Sequence, residues 1–329
     1  MNPFKAFRIH ERDKRIEAGF ETMGVDALTP GEVLIRVRFS SINYKDALAA
    51  SGAGKILRRY PLNGGIDLSG EIVKSGDARY QPGQSVLVTG CGLSETVDGG
   101  YAEYARVSGD SVIRLPDGID GFQAMAIGTA GFTAALAIHR MEHNGQTPAQ
   151  GPVVVTGASG GVGSLAVDLL AGRGYQVVAV SGKPDVDEYL RALGAAQILR
   201  RQEIDLGSRP MEAVRWAGAI DSVGGELLTW LTRTMDFWGN IASIGLAGSP
   251  KLETTVLPFI LRGINLLGIN SSATPRELRL AVWQRLASDL RPRHFERLVT
   301  RTIGFEELPA AFDDYLQGRV LGRTVVKIA

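Results

Sequence analysis

A glycine-rich turn carries the clearest chemical signal in the sequence. In VVVTGASGGVGSLAVDLL, Val153 to Leu170, an apolar strand pattern precedes the turn and a helical pattern follows it. Glycine lets the chain approach a ligand closely, and the free amides at a helix start stabilise the negative charge of a pyrophosphate. The glycines of the turn are Gly157, Gly160, Gly161 and Gly163. The pattern predicts a dinucleotide site, the alternative being a turn that binds nothing.

The end of the next strand pattern indicates which dinucleotide binds. Domains specific for NAD usually place Asp or Glu there to bind the ribose 2′-hydroxyl, whereas this sequence reads VVAVSGKP. Ser181 and Lys183 offer a hydroxyl and a cation where a carboxylate would repel a 2′-phosphate. Arg201, after the predicted third strand, is a second candidate for that phosphate. We expect NADPH, unless Lys183 is only a solvated surface lysine.

Composition limits the classes of partner. The 329 residues include 36 basic and 35 acidic side chains, which is not the charge signature of a nucleic-acid or anionic-membrane binder. No apolar stretch approaches the roughly 18 residues of a membrane span, and the first 20 residues carry charges throughout. The single cysteine, Cys91, allows no disulfide within the chain. We expect a cytoplasmic protein with a small-molecule substrate and neither nucleic acid nor membrane as a partner.

Two textures along the chain predict an α/β protein with two domains. From Glu32 to Tyr104, short apolar runs alternate at period two between glycines and prolines, which is typical of strands in a sandwich or partial barrel. Phe122–His143 has helical spacing, and helix and strand patterns then alternate as far as Ile244. That alternation predicts βαβ units and a doubly wound parallel sheet of the Rossmann type.

The domain limits follow from these textures. The terminal strand pattern GRTVVKI resembles the early strands more than the later ones. We therefore predict a β-rich substrate domain at residues 1–121, completed by residues 297–329. Residues 122–296 are predicted to form the Rossmann domain that binds NADP.

Seven blocks, in order along nearly the whole chain, carry a family resemblance. They are SSINYKDALA, GGIDLSGEIV, GTAGFTA, GASGGVGS, VSGK, PFILRGINLLGI and GRTVVKI. The sequence resembles the medium-chain dehydrogenase/reductase superfamily, and more narrowly its zinc-free acryloyl-CoA reductase and quinone oxidoreductase members. The resemblance implies that the β-rich domain is GroES-like.

Zinc ligands are missing at the positions that the resemblance indicates. Zinc alcohol dehydrogenases of this superfamily have a cysteine at the place of Asn43 and a histidine at that of Ile66, followed by a four-cysteine lobe. Among the histidines, only His139 and His143 share a helical face, and a solvated face explains them better than a metal site. We expect no metal. Oxidation of an alcohol needs a strong Lewis acid, whereas hydride addition to a conjugated C=C needs only modest stabilisation of an enolate-like oxygen.

Tyr44 is the favoured catalytic residue. It follows a strand pattern of the substrate domain, where the superfamily places its catalytic ligands, and the resemblance implies contact with the nicotinamide end of NADPH. The alternative is an aromatic side chain that only packs between the domains. Asn43 and Asp67 are further catalytic candidates, and Lys45 and Asp46 belong to the same expected cleft. Asp46 and Asp67 can instead be structural polar contacts.

The resemblance also implies further cofactor contacts and two departures from the family pattern. Ser159, Gly160, Gly161 and Val162 would hold the pyrophosphate, and Ser181, Gly182 and Lys183 the 2′-phosphate. Other parts of the cofactor would contact Leu246, Ile260, Ser271 and Arg323. The departures are Asn270, where the family usually has aspartate, and Cys91 with Asp98, where it often has tryptophan.

These expectations converge on an NADPH-dependent reductase of a short α,β-unsaturated acyl-CoA. The basic residues Lys55, Arg58 and Arg59 could contact the phosphates of CoA, although such a run is more often solvated. One alternative is an NADPH:quinone oxidoreductase that accepts small quinones or enones. Another is an NADPH-binding sensor protein like ζ-crystallin, without enzyme activity.

The apolar segment Leu266–Asn270 is typical of an edge strand, which predicts pairing with its own copy in a homodimer.

Overall fold

The computed structural model describes residues 2–329. Its strands are β1 Phe4–Arg12, β2 Arg15–Met23, β3 Val33–Ile42, β4 Leu62–Asn63, β5 Asp67–Ser75, β6 Ser85–Thr89, β7 Tyr104–Val107, β8 Ile113–Arg114, β9 Val153–Thr156, β10 Val177–Ser181, β11 Ala195–Arg200, β12 Trp216–Asp221, β13 Met235–Ser243, β14 Asn265–Gly268, β15 Val299–Gly304 and β16 Arg323–Lys327. Its helices are α1 Tyr44–Ser51, α2 Gly121–His143, α3 Gly161–Gly172, α4 Asp187–Ala192, α5 Gly225–Thr234, α6 Leu257–Arg262, α7 Arg276–Leu286, α8 Phe295–Leu298 and α9 Leu308–Leu316.

Internal contacts divide the chain into two compact units. The first contains residues 2–129, Ser271–Ala287 and Val299–Ala329, and the second contains Ala130–Asn270 and Ser288–Leu298. The domain limits predicted from the sequence remain a prediction. The contact units differ from them at residues 122–129 and 271–287, which lie in the first unit, and at residues 297–298, which lie in the second.

The first unit is built from two β-sheets. The larger sheet has the order β15-β16-β3-β5-β6-β8, with β7 also paired to β3. Its β16 runs antiparallel to β3, with Thr324 opposite Ile42, as expected of a terminal strand that returns to the first domain. The alternating side chains of β3, among them Val33, Ile35 and Val37, lie in the main apolar core of this unit. The β-rich texture of the early sequence is thus confirmed.

The hairpin at the start of the chain was not among the strands predicted from the sequence. Strands β1 and β2 pair along their full length, from Phe4 opposite Met23 to Arg12 opposite Arg15. Asp13 and Lys14 close the hairpin, and both have positive φ, as a two-residue turn of type I′ requires. The many charged residues of β2 hide its period, because one face of the strand remains exposed.

The second unit contains a six-stranded parallel sheet. Its order is β11-β10-β9-β12-β13-β14, which is the order 3-2-1-4-5-6 of a dinucleotide-binding Rossmann domain. The chain adds strands from β9 to β11 on one side of the sheet and from β12 to β14 on the other, so the strand order reverses between β9 and β12. Ligands of such sheets bind at the carboxyl ends of the strands beside that point. Every residue of β9 is buried, so its unbroken apolar run is explained by burial on both faces. The predicted fold class is confirmed.

Helix α2 is interrupted where the sequence suggests a continuous helix. Gly128 has φ +52° and ψ −159°, which breaks the helix into two pieces. By length and apolarity α2 could span a membrane, but 78% of its most apolar window is buried. Its apolarity is therefore that of a core helix.

Candidate functional site

The turn after β9 has a backbone shape that only glycine allows at two positions. Gly157 has φ +61°, in the left-handed region that favours glycine. A Cβ on Gly163 would lie 2.2 Å from the Gly157 carbonyl oxygen. Helix α3 then begins after Gly160, and its first amides, including those of Gly161 and Val162, have no intrahelical acceptor. The turn thus presents backbone donors to an anion, as a pyrophosphate site requires.

The hydroxyls predicted to bind phosphate are buried in this turn. Ser159 Oγ lies 3.1 Å from Ser181 Oγ, so the turn after β9 is tied to the end of β10. Ser181 is 1% exposed, and its Oγ also accepts a hydrogen bond from the Lys183 amide at 3.2 Å. Ser181 therefore shapes the loop that carries Lys183. Burial lowers the pKa of the half-buried Lys183 ammonium group.

A pocket of about 350 Å³ lies beside this loop. It is lined by Gly182, Arg201, Gln202, Leu206, Glu226 and Leu227. Gln202 Nε2 donates to the Gly182 carbonyl at 3.0 Å, which holds the loop after β11 against the loop after β10. The structure thus brings two predicted cofactor residues, Gly182 and Arg201, to one pocket. Glu226 was not predicted, and it adds a carboxylate to the same wall.

The remaining predicted cofactor residues are more scattered. In the second unit, Leu246 follows β13 and is 63% exposed, and Ile260 on α6 is 69% exposed. In the first unit, Arg323 is buried and the Ser271 carbonyl accepts from Arg279 Nη2 at 3.2 Å. Arg279 is itself buried and also donates to the Thr89 carbonyl at 2.6 Å. It therefore fastens the segment that carries Ser271 to the end of β6.

Within the first unit, a buried carboxylate gathers polar side chains from distant parts of the chain. Asp67 is fully buried at the start of β5. Its Oδ2 accepts from Ser41 Oγ at 2.7 Å and from Asn43 Nδ2 at 2.8 Å. Its Oδ1 accepts from Thr129 Oγ1 at 2.5 Å and from the Thr129 amide at 3.0 Å. These donors occupy both carboxylate oxygens, which favours a positioning role for Asp67 over direct catalysis.

The break at Gly128 makes this cluster possible. A Cβ at Gly128 would lie 2.7 Å from both Asp67 Oδ2 and Arg323 Nη2, and 2.9 Å from Ser41 Oγ. Because the helix is interrupted there, the Thr129 amide is available to Asp67. Sequence reasoning quoted this glycine only within a family block and missed its role. A glycine inside a helical pattern is the signal that could have revealed it.

Asn43 lies at the centre of the cluster. Its Nδ2 donates to Asp67 Oδ2 and also to Asp46 Oδ2, the latter at 3.2 Å. Its Oδ1 accepts from Arg323 Nη1 at 3.2 Å. The amide is thus held at both ends by side chains of its own unit. Asn43 is also the N-cap residue of α1, and a direct catalytic role for it remains a prediction.

Tyr44 is the first residue of α1 and contrasts with its neighbours. Its side chain is 46% exposed, and its hydroxyl has no hydrogen-bond partner within residues 2–329. The adjacent Lys45 forms an ion pair with Glu95, whose Oε1 also accepts from Ser272 Oγ at 3.0 Å. Asn43 and Lys45 are therefore held in place on either side of Tyr44, whose exposed side chain can contact a ligand.

Comparison with known proteins identifies the family. Residues 29–117 match the alcohol dehydrogenase GroES-like domain, and residues 161–288 match the domain described as zinc-binding dehydrogenase. The chain is 44% identical over 319 residues to the acrylyl-CoA reductase AcuI of Ruegeria pomeroyi, covering 97% of this chain and 96% of that protein. The chain belongs to the medium-chain dehydrogenase/reductase family.

Further members of this family are similar along their whole length. Bacillus subtilis YhfP, named as a quinone oxidoreductase, is 43% identical over 326 residues, covering 99% of both chains. Its crystal structure with NAD bound has a TM-score of 0.97 and covers both chains fully. The structure of Escherichia coli YhdH with bound NADPH has 46% identity and a TM-score of 0.95, covering 98% of this chain and all of that one.

The zinc-binding description of the second family domain does not fit the residues of this chain. Ile66 has no donor atom for a metal, and the Asn43 amide is occupied by Asp67, Asp46 and Arg323. Across residues 2–329, no group of three or more His, Cys, Asp or Glu side chains could hold a metal ion. We therefore derive no step of the reaction through zinc.

Proposed function

We propose that this protein uses NADPH to reduce the conjugated C=C of a short α,β-unsaturated acyl-CoA. One observation carries the proposal. Asn43, at one of the positions where zinc relatives have a ligand, is bonded to Asp67 and Arg323, whereas the exposed hydroxyl of the adjacent Tyr44 is left for a substrate. A neutral hydroxyl that donates a hydrogen bond stabilises an enolate-like oxygen, whereas oxidation of an alcohol also needs a base that takes the hydroxyl proton or a metal that acidifies it.

The glycine turn fits the cofactor. We propose that the pyrophosphate binds at the start of α3, at Gly160, Gly161 and Val162, because a Cβ on Gly163 would close the turn and free amides lie there. Lys183 and Arg201 would bind the 2′-phosphate beside the pocket at Gly182. When bound, NADPH supplies a hydride.

The chemistry left to the chain is positioning and proton transfer. As the hydride adds to the β-carbon, the electron pair of the C=C moves toward the thioester oxygen, and the α-carbon then takes a proton. We propose that the Tyr44 hydroxyl donates a hydrogen bond to that oxygen or supplies that proton. The fixed position of Asn43 before it and the ion pair of Lys45 after it hold Tyr44 for this role.

A basic loop supports CoA as the carrier of the acyl group. Residues 47–66 contain Lys55, Arg58 and Arg59 and no acidic residue, and all three side chains are exposed. Between them, Leu57 is buried in the core and the Arg58 amide donates to the Glu95 carbonyl at 2.8 Å. The loop is therefore anchored through the same Glu95 that pairs with Lys45. We propose that its cations contact CoA phosphates.

The decisive experiment follows NADPH absorbance in the presence of the purified protein. The acceptors are acryloyl-CoA, crotonyl-CoA, 1,4-benzoquinone and a simple enone. We expect turnover of the enoyl-CoA substrates and none of simple alcohols with NADP. Tyr44→Phe should lower kcat roughly 100-fold with little change in NADPH affinity, because only the transition state uses the hydroxyl.

Tyr104→Phe is the matched control, since Tyr104 stacks edge-on against Phe4 at 5.3 Å in a separate apolar cluster. It should keep the native kcat. Full activity of Tyr44→Phe would remove Tyr44 from the mechanism. Activity lost to a chelator and restored by zinc would overturn the metal-free reaction.

A quinone is the second candidate acceptor. The whole-length similarity to YhfP, named as a quinone oxidoreductase, favours it. Quinone reduction needs the same cofactor turn but neither a proton on carbon nor the basic loop. A kcat/KM for benzoquinone far above that for acryloyl-CoA would establish this alternative.

We also propose a cytoplasmic homodimer. Strand β14 is the edge of the parallel sheet, so its outer backbone groups are open to pairing. On β13 and α6 of the same unit, four large apolar side chains are exposed by more than half: Phe237, Trp238, Ile260 and Leu261. Antiparallel pairing of β14 with its copy would complete the sheet. Sedimentation at micromolar concentration should show a dimer, and a monomer alone would contradict the proposal.

A further inference from the structure

A second buried carboxylate, Asp46, grips the residue that precedes Tyr44. Its Oδ2 accepts from the Asn43 amide at 2.8 Å and from Asn43 Nδ2 at 3.2 Å. Its Oδ1 accepts from the Ile66 amide at 2.9 Å. Since all three are N–H donors, this geometry is built for an ionised carboxylate. It also ties the start of α1 to the residue just before β5.

Asp46 is buried among other titratable groups. Burial raises the pKa of Asp46 most, and the charge of Asp67 on β5 raises it further. Tyr101, from the segment before β7, interacts with Asp46 by charge and by a side-chain hydrogen bond, and Tyr315 on α9 interacts with it by charge. Arg323 on β16 lies nearest to Asp67, with Nη2 4.0 Å from Oδ2. The Arg323 guanidinium thus lies near Asp67, while the donors to Asp46 are neutral groups, namely the amides of Asn43 and Ile66 and the side chain of Tyr101.

We propose that Asp46 is a positioning residue for Tyr44: its carboxylate fixes the first turn of α1, and its protonation releases that turn and lowers the reaction rate. The inference rests on the proposed role of Tyr44. Tyr44 follows Asn43 directly, and Asn43 gives Asp46 both its amide and its side-chain donor. When one Asp46 oxygen carries a proton, it can no longer accept these bonds equally, and the cap of α1 is weakened.

The expected pH range follows from the surroundings of Asp46. Burial, followed by the charge of Asp67, raises its pKa from 3.8 to about 7, against the hydrogen bonds from Asn43 and Ile66. Asp46 is therefore protonated below about pH 7 and ionised above it. We expect kcat to rise about fivefold as the pH increases through this value. This factor corresponds to the free energy of one helix-capping interaction.

The test compares pH profiles of kcat for the native protein, Asp46→Asn and Asp117→Asn. Asn at position 46 cannot ionise and accepts at one oxygen only. Its kcat should stay at the low level that the native protein has below pH 7, with no inflection near pH 7. Its dissociation constant for NADPH should stay within about twofold of the native value. Asp117 is exposed in the same unit, and its variant should keep the native profile.

If Asp46 had only a structural role, Asp46→Asn would lower the stability of the protein, but its kcat profile would keep the inflection near pH 7. A native profile in Asp46→Asn overturns the inference. If that variant does not fold, infrared spectra of Asp221→Asn decide, because Asp221 is the other aspartate whose burial raises its pKa. A protonated-carboxyl band that appears as pH falls through about 7 supports the inference, and its absence overturns it. This reading needs no turnover, so it is independent of the proposed substrate.

Discussion

The two candidate sites are built from different parts of the polypeptide. The turn after β9 is made of backbone within about 30 residues of sequence, where glycines set φ and leave room for a ligand. The cluster around Asp67 is made of side chains that come from β3, α2 and β16, as far apart as Ser41 and Arg323. A backbone site fails when one Cβ is added, whereas a side-chain site fails by degrees as partners are lost.

Gly163→Val should have the largest effect and would test the backbone site. Its Cβ would lie 2.2 Å from the Gly157 carbonyl oxygen, and backbone cannot move aside as a flexible side chain can. We expect NADPH affinity to fall by at least about 100-fold, since the amides at the start of α3 would no longer converge on the pyrophosphate. Fluorescence titration with NADPH measures this.

Gly160→Ala serves as the control for folding in the same turn. Gly160 has φ −82°, and the nearest atom to an added Cβ is 3.4 Å away. Its thermal midpoint should remain native. If Gly163→Val kept the native NADPH affinity, the turn would not be a phosphate site built on backbone.

Gly128→Ala should have the next largest effect and would test the side-chain site. The conformation of Gly128 is one that other residues rarely adopt, and the new methyl would press on Asp67, Arg323 and Ser41. We expect a loss of about 2–3 kcal/mol in the free energy of unfolding and a lower kcat with nearly native NADPH affinity. Denaturant unfolding and steady-state kinetics measure the two.

Gly83→Ala separates the two causes of that loss. Gly83 has φ +85° in the same unit, but nothing lies within 4 Å of an added Cβ. It should lose only about 1 kcal/mol, the cost of the left-handed backbone, with native kcat. Equal effects at both glycines would mean that contact with the Asp67 cluster contributes nothing.

The same contrast explains what the sequence could predict. Strands β9 to β13 and the helices between them were predictable because each is recognised from local apolar periodicity and burial. The hairpin β1–β2 was not, because half of its surface is polar. A structural role for Asp67 was among the expectations, but its partners were not predictable, because Ser41, Asn43 and Thr129 lie 24 to 62 residues away. Arg323 was assigned to the cofactor, yet its buried guanidinium donates to the Ala126 and Ile42 carbonyls.

Lys183→Asp should have the smallest of the three effects, because it changes one contact at the rim of the backbone site and leaves the turn intact. The substitution keeps two backbone contacts of the loop, because the Lys183 amide donates to Ser181 Oγ and the Lys183 carbonyl accepts from Arg200 Nη1. Replacing a charge-assisted contact by a repulsive carboxylate costs on the order of 1.5–3 kcal/mol, or roughly 10- to 100-fold in NADPH affinity. NADH has no 2′-phosphate and should bind as well as before or better, which inverts the native preference.

Lys251→Asp, an exposed change in the same unit, controls for net charge. Equal dissociation constants of NADPH and NADH in the native protein would show that neither Lys183 nor the pocket at Gly182 binds the 2′-phosphate of NADPH.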